Sequence, residues 1–200
     1  MRYATATAFR TALEQRLRTR SIETGLTLTR LRKAVVFDRL LARLLVDAAG
    51  QWLVKGGMAL DFRLGARARA TKDLDLARRD DDMEGTGGIV VASAVDLDDY
   101  FTFSVQKQRT IEAALEDVAV RYRVSAILDD RRFEQVTVDI GLRSSAVPMP
   151  ELLLGSDLVV FAGIPRITVP ALPLALHVAE KIHAYARVYA GERQTAGSKI

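Results

Sequence analysis

Two carboxylates one residue apart, Asp73 and Asp75, alternate with Leu74 and Leu76 in the run Thr71-Lys72-Asp73-Leu74-Asp75-Leu76. Side chains along a strand point to opposite faces in turn, so a strand here sends both acids one way and both leucines the other. Upstream, a glycine pair ends an apolar run in Lys55-Gly56-Gly57-Met58-Ala59-Leu60. Two hard oxygen ligands on one face, next to a glycine turn, are what a magnesium–phosphate site requires. The glycines let backbone N–H groups approach phosphate oxygens, and the acids hold the cation that neutralises those oxygens.

The rest of the composition narrows the chemistry. A chain of 200 residues at 49% hydrophobic content can bury a proper core, and suits one globular domain or one with a small helical appendage. With no cysteine, neither a disulfide framework nor a thiolate zinc site is possible. His177 and His183 are the only histidines and are six apart, off ligand spacing on a helix, so any metal is expected to be oxygen-ligated. Both histidines read as structural or surface residues. No serine has a histidine–acid partner pattern, which leaves hydrolase-triad chemistry little support.

Residues 1–20 carry charges throughout and lack the apolar core of a signal peptide. No stretch approaches the roughly 18 apolar residues a membrane helix needs. A soluble, cytoplasmic protein is expected. The net charge of +4 and pI near 9.6 give a mild bias towards polyanions, and Arg63, Arg67, Arg69 and Lys72 fall just before the acid pair.

Helical spacing covers residues 5–20 and 29–48, with Gly25 between them, and predicts a helical hairpin. Leu31, Val35, Leu40, Leu41, Leu44 and Leu45 form its apolar stripe. Arg30, Arg32, Lys33, Arg39 and Arg43 around the stripe read as a solvated basic face, with an RNA-facing surface as the alternative. Residues 51–55 are expected to be a short strand and 58–64 a helix whose N-terminus points at the glycine turn, where free N–H groups and the positive dipole end suit a triphosphate. A second strand is expected at 71–77, and a polar loop around Asp80, Asp81 and Asp82. Residues 90–119 look mainly helical, although 101–105 also suit an extended form.

A hairpin is expected from Val120–Leu128 and Phe133–Leu142, joined by Asp129-Asp130-Arg131-Arg132. On its second strand Asp139 falls in phase with Thr137 and Gln135, opposite Val136, Val138 and Ile140, and becomes the third candidate acid. Pro148 and Pro150 mark a loop, 166–169 suits a short strand, and 173–189 a helix with a proline near its first turn. Leu176, Ala179, Ile182 and Ala186 are its expected buried stripe.

Asp73, Asp75 and Asp139 on adjacent strands would hold two divalent cations in the arrangement used for in-line nucleotidyl transfer. The alternative for the acid pair is a solvated strand edge. Gly56 and Gly57 serve equally as a tight strand–helix turn, and Lys55 reads as a flanking residue. Arg69 would reach a phosphate or an incoming RNA, or be surface charge. Lys181, in Ala179-Glu180-Lys181-Ile182-His183-Ala184, is by its spacing alone an ordinary exposed lysine.

Taken together, Gly56-Gly57-Met58-Ala59-Leu60, Arg69-Ala70-Thr71-Lys72-Asp73-Leu74-Asp75-Leu76 and Ala179-Glu180-Lys181-Ile182-His183-Ala184 resemble the AbiEii/AbiGii toxin family. That family lies within the DNA polymerase β-like nucleotidyltransferases and includes the mycobacterial MenT toxins. The resemblance spans about residues 30–190. It implies an α/β (α+β) fold, a mixed sheet flanked by helices with a C-terminal helical part. It also implies a toxin of a type IV-like toxin–antitoxin pair, neutralised by a winged-helix antitoxin. Such proteins transfer a nucleotide from an NTP to RNA, in some cases to tRNA 3′ ends. Carried to this sequence, Gly56 and Gly57 would cradle the phosphates, Asp73 and Asp75 would bind Mg²⁺, and Lys181 would contact the triphosphate.

The resemblance also implies an Arg-x-Lys-Asp-x-x-Asp stretch after the lysine helix, whereas this chain runs Gly191-Glu192-Arg193-Gln194-Thr195-Ala196-Gly197-Ser198-Lys199-Ile200. The codons GCC GGG TCA AAG AT would encode Ala196–Ile200, and the shifted reading CGG GTC AAA GAT encodes Arg-Val-Lys-Asp. A frameshifted, truncated C-terminus is therefore expected. The resulting organisation is a helical hairpin at 1–50, a nucleotidyltransferase core at 51–145 and a C-terminal helical region at 146–200. The rival expectations are a protein-modifying, AMPylating-type transferase and a degenerate NTP-binding partner of an antitoxin.

Overall fold

The computed structural model describes residues 1–78, 87–113, 117–142 and 149–186. The expected acidic loop around Asp80, most of the final segment and the atypical 194–200 stretch lie outside the described residues.

Two long helices open the chain, α1 (Ala6–Thr24) and α2 (Leu28–Asp47). Each starts on a threonine whose side chain accepts a backbone N–H, Thr5 from Ala8 and Thr27 from Arg30. Gly25, at φ 70°, closes α1 in the left-handed conformation that a β-carbon would disfavour. There follow β1 (Trp52–Lys55), α3 (Gly56–Leu64), β2 (Asp73–Arg78), the short α4 (Gly88–Ser93), β3 (Phe101–Ala113), β4 (Asp117–Leu128), β5 (Arg131–Leu142), β6 (Glu151–Leu154), β7 (Thr168–Ala171) and α5 (Leu174–Ala186). Among the described residues no helix is long and apolar enough to cross a membrane.

The strands form one mixed sheet in the order β3-β4-β5-β2-β1-β7-β6. β2 runs parallel to β5 and β1 parallel to β7, while the remaining neighbours are antiparallel. One face carries the main core. Leu74, Leu76, Val138, Ile140, Val120 and Val124 point into it, against Phe9, Leu13 and Leu17 of α1 and Val35, Leu40 and Leu44 of α2. The opposite face holds the polar residues of the same strands.

Three local expectations are corrected. Residues 101–113 form the long strand β3 rather than continuing a helix. Asp98 and Tyr100 stand at φ 52° and 61°, breaking any helix before it, and β3 then pairs with β4 along its length. The arginines of α2 are not a solvated face. Arg39 and Arg43 are 3% and 0% exposed, because Asp38 and Asp99 (both 1% exposed) lie beside them in the core. Arg43 donates to both Asp99 oxygens at 3.0 and 2.7 Å and to the Phe101 carbonyl at 2.7 Å, which ties α2 to the start of β3. Arg30 and Arg32 pair with Asp61 and Glu14.

β6 follows directly on the loop marked by Pro148 and Pro150, and β6 and β7 complete one edge of the sheet. Finally, α5 does not bury its apolar stripe. Leu176 and Ile182 are 38% and 63% exposed, whereas His177 is the buried one among the described side chains of that helix.

Candidate active site

Strand register sets four charged residues side by side on the polar face. Lys55 of β1 is opposite Asp75 of β2, Asp75 opposite Asp139 of β5, and Asp139 opposite Arg121 of β4. Asp73 lies two residues along β2 on the same face, beside Thr137. The intervening Leu74 and Leu76 are 0% exposed, so the core fixes which way the acids point.

Gly56 and Gly57 open α3, and each has a steric reason to be glycine. A β-carbon on Gly56, already at φ 60°, would coincide with the Asp75 carboxylate. One on Gly57 would lie 2.6 Å from Thr71 Oγ1. Thr71 in turn donates to the Asp73 carbonyl at 2.8 Å, pinning the entry to β2. The first turn of a helix, with N–H groups and the positive dipole end, thus abuts the central acid.

Burial raises the Asp75 pKa above the usual carboxylate value. The Lys55 charge opposes that rise, Asp139 adds to it, the Lys181 charge opposes it, and Asp73 adds to it. Lys55 is therefore more than a flanking residue: its Nζ lies 3.3 Å from where a β-carbon of Gly141 would stand, reaching across β2 towards β5. Lys181, on α5, acts on Asp75 through its charge although it is itself exposed. Arg69 is exposed and makes no hydrogen bond or ion pair among the described residues, so it is not part of the row.

Asp139 is engaged already. Arg121 donates to it through Nε at 2.7 Å and Nη2 at 2.6 Å, a bidentate pair that uses both carboxylate oxygens. By contrast, the side chains of Asp73 and Asp75 take no hydrogen bond or ion pair among the described residues. Magnesium prefers carboxylate oxygens, and these two carboxylates fit it. Among the described residues no three carboxylates or imidazoles are gathered closely enough to enclose a metal. Asp139 would join as a ligand only on leaving Arg121.

Sequence reasoning missed Arg121 and undervalued Lys55. The signal for Arg121 was its place in Val120-Arg121-Tyr122-Arg123-Val124, on the polar phase of a strand paired with the Asp139 strand.

A model of the nucleotidyl transferase AbiEii toxin family, of type IV toxin–antitoxin systems, matches residues 39–199. The chain belongs to that family. Among solved structures it is similar to one from H. pylori assigned as a nucleotidyltransferase, at 16% identity over 78% of this chain and 59% of that one, with a TM-score of 0.48. It is also similar to JHP933 from Helicobacter pylori, at 16% identity over 80% of this chain and 59% of that one, with a TM-score of 0.45. The chain thus spans 59% of the length of each. No curated protein matches it.

Proposed function

We propose that this chain is the toxin of a cytoplasmic toxin–antitoxin pair. It acts as a Mg²⁺-dependent nucleotidyltransferase that moves NMP from an NTP to RNA, at tRNA 3′ ends, and its partner is a winged-helix antitoxin. The observation that carries the reading is the placement of Asp75, pressed against Gly56 at the start of α3 and flanked across the sheet by Lys55 and Asp139.

In such a reaction an RNA hydroxyl oxygen attacks the α-phosphorus. The new O–P bond forms as the bridge from the α- to the β-phosphate breaks, pyrophosphate leaves with the electron pair, and the hydroxyl proton is released. The first turn of α3 offers N–H groups to the phosphates, and Lys55 and Lys181 offset the charge gathering on the leaving pyrophosphate. Asp73 and Asp75 would hold the cation, which when bound neutralises phosphate oxygens and promotes ionisation of the attacking hydroxyl. Much of the acceleration then comes from fixed positions and charges.

The test is incubation with α-labelled NTPs, total RNA and protein lysate, for the wild type and Asp73→Ala. Label in the tRNA fraction, lost in the variant, is the expected result. Label in protein supports the AMPylating alternative, and no label in either fraction with NTP still bound supports a degenerate binder. Labelling that survives Asp73→Ala removes the catalytic role of the acid pair. Capture of the winged-helix product of the neighbouring upstream reading frame tests the partner.

A further inference from the structure

The polar face of the sheet continues past the acid row across β5, β4 and β3. Register sets a second row one step along from the first. Asp73 of β2 is opposite Thr137 of β5, Thr137 opposite Arg123 of β4, and Arg123 opposite Gln106 of β3. Two strand spacings, about 10 Å, separate Asp73 from Arg123. Arg123 and Gln106 are exposed, so no described element packs over that end of the row.

A cavity of about 390 Å³ opens on this face, lined by Gln108 of β3, Arg121, Tyr122 and Arg123 of β4, and Thr137 of β5. Its two arginines differ. Arg121 is held by both oxygens of Asp139, whereas Arg123 makes no hydrogen bond or ion pair among the described residues. A free guanidinium presents a planar fork of donors that matches phosphate oxygens. The Thr137 hydroxyl and the Gln108 carboxamide add further donors beside it.

The proposed reaction brings two polyanions to Asp73 and Asp75. The triphosphate takes the side of Lys55, Lys181 and α3, which leaves the β4 side for the strand that carries the attacking hydroxyl. We infer that this groove on β3, β4 and β5 holds the end of the acceptor RNA. Arg123 grips the phosphodiester next to the attacking nucleotide, and Thr137 and Gln108 donate to the sugar–phosphate backbone. Contacts of this kind position a nucleic acid and carry no sequence information directly. The inference rests on the proposed function, since it places the second substrate of the same site.

Fluorescence anisotropy with end-labelled tRNA, on the full chain over a series of salt concentrations, tests it. Arg123→Gln is expected to weaken tRNA binding about tenfold, the effect of losing a charged hydrogen bond. The salt slope should fall by about one, the loss of a single phosphate contact. NTP affinity, read by calorimetry without RNA, should not change. Arg123 is exposed, so its replacement does not put folding at risk. Arg132→Gln, an exposed arginine at the hairpin end of β5, should leave tRNA affinity and slope near wild type. Unaltered tRNA binding in Arg123→Gln, or equal weakening by both variants, overturns the groove and leaves the proposed function standing. A wild type that binds no tRNA overturns both.

Discussion

Arg121 holds Asp139 by both carboxylate oxygens, at 2.7 and 2.6 Å, on the strand beside Asp75. A cation at Asp75 that recruits Asp139 has to displace that guanidinium. Arg121→Gln is therefore expected to tighten Mg²⁺ or Mn²⁺ binding several-fold by calorimetry. Because the two side chains are 31% and 18% exposed, thermal stability without metal should fall by less than about 1 kcal/mol. Weaker metal binding in the variant would show that Arg121 supports the site rather than competing for it.

Asp75 has its pKa raised by burial from the ordinary 3.8. The folded state then binds this proton more tightly than the unfolded chain does. Stability from this group is therefore full below about 3.8 and declines as pH rises to the elevated folded value, above which it is level. Asp75→Asn removes the loss. With EDTA at pH 7 the variant should melt higher than wild type, by roughly 2–4 °C for each kcal/mol recovered, and the two should converge below pH 3.8. Added Mg²⁺ should raise the wild-type Tm and leave the variant unmoved. A variant melting below wild type at pH 7 in EDTA contradicts the assignment.

Gly56→Ala adds a methyl where the Asp75 carboxylate lies, at φ 60°. The left-handed conformation alone costs an L-residue about 1–2 kcal/mol, and displacement of Asp75 adds to it. Urea unfolding should show at least that loss. NMP transfer should fall by more than stability alone explains, since the folded fraction remains high. Full transfer activity in a folded variant would detach the glycine from the site.

Arg43→Met leaves Asp99 buried without its bidentate partner, the nearest remaining cation being Arg39 at 3.5 Å. Loss of one member of a buried pair costs about 3–5 kcal/mol. Arg131→Ala, which breaks a pair whose arginine is 67% exposed, should change stability by less than about 1 kcal/mol. Equal effects in denaturant titrations would mean the buried network is no more costly to break than a surface pair.

Much of the site can be read from alternation alone. Asp73 and Asp75 against Leu74 and Leu76, and Asp139 against Val138 and Ile140, fix faces before any coordinates are known, and the glycine pair marks where a helix meets the acids. Arg121 illustrates the limit. The Asp129–Asp130 turn, with both residues near φ 54°, would by simple counting from the Leu128–Arg131 pair seat Arg121 opposite Val138. A bulge between Ala126 and Ile127 shifts the register by one, buries Phe133 and brings Arg121 to Asp139. Short-range pattern does not announce such a bulge. Arg30, Arg32 and Arg43 of α2 escape the pattern for a similar reason: their partners Asp61, Glu14 and Asp99 are distant in sequence, and helical periodicity cannot see them. In α5 the exposed leucine and isoleucine look like a core stripe because apolar periodicity records a face, not what covers it.

The charged row runs across the sheet, so its members come from four separate strands, and only Arg121 and Asp139 meet through a local hairpin. Asp139 and its strand are made last of the four, and β2 finds β5 only after the whole β3–β4 excursion has left the ribosome. Contacts of that kind form late and slowly. Asp75 and Asp139 therefore come to stand side by side only once β5 has been made.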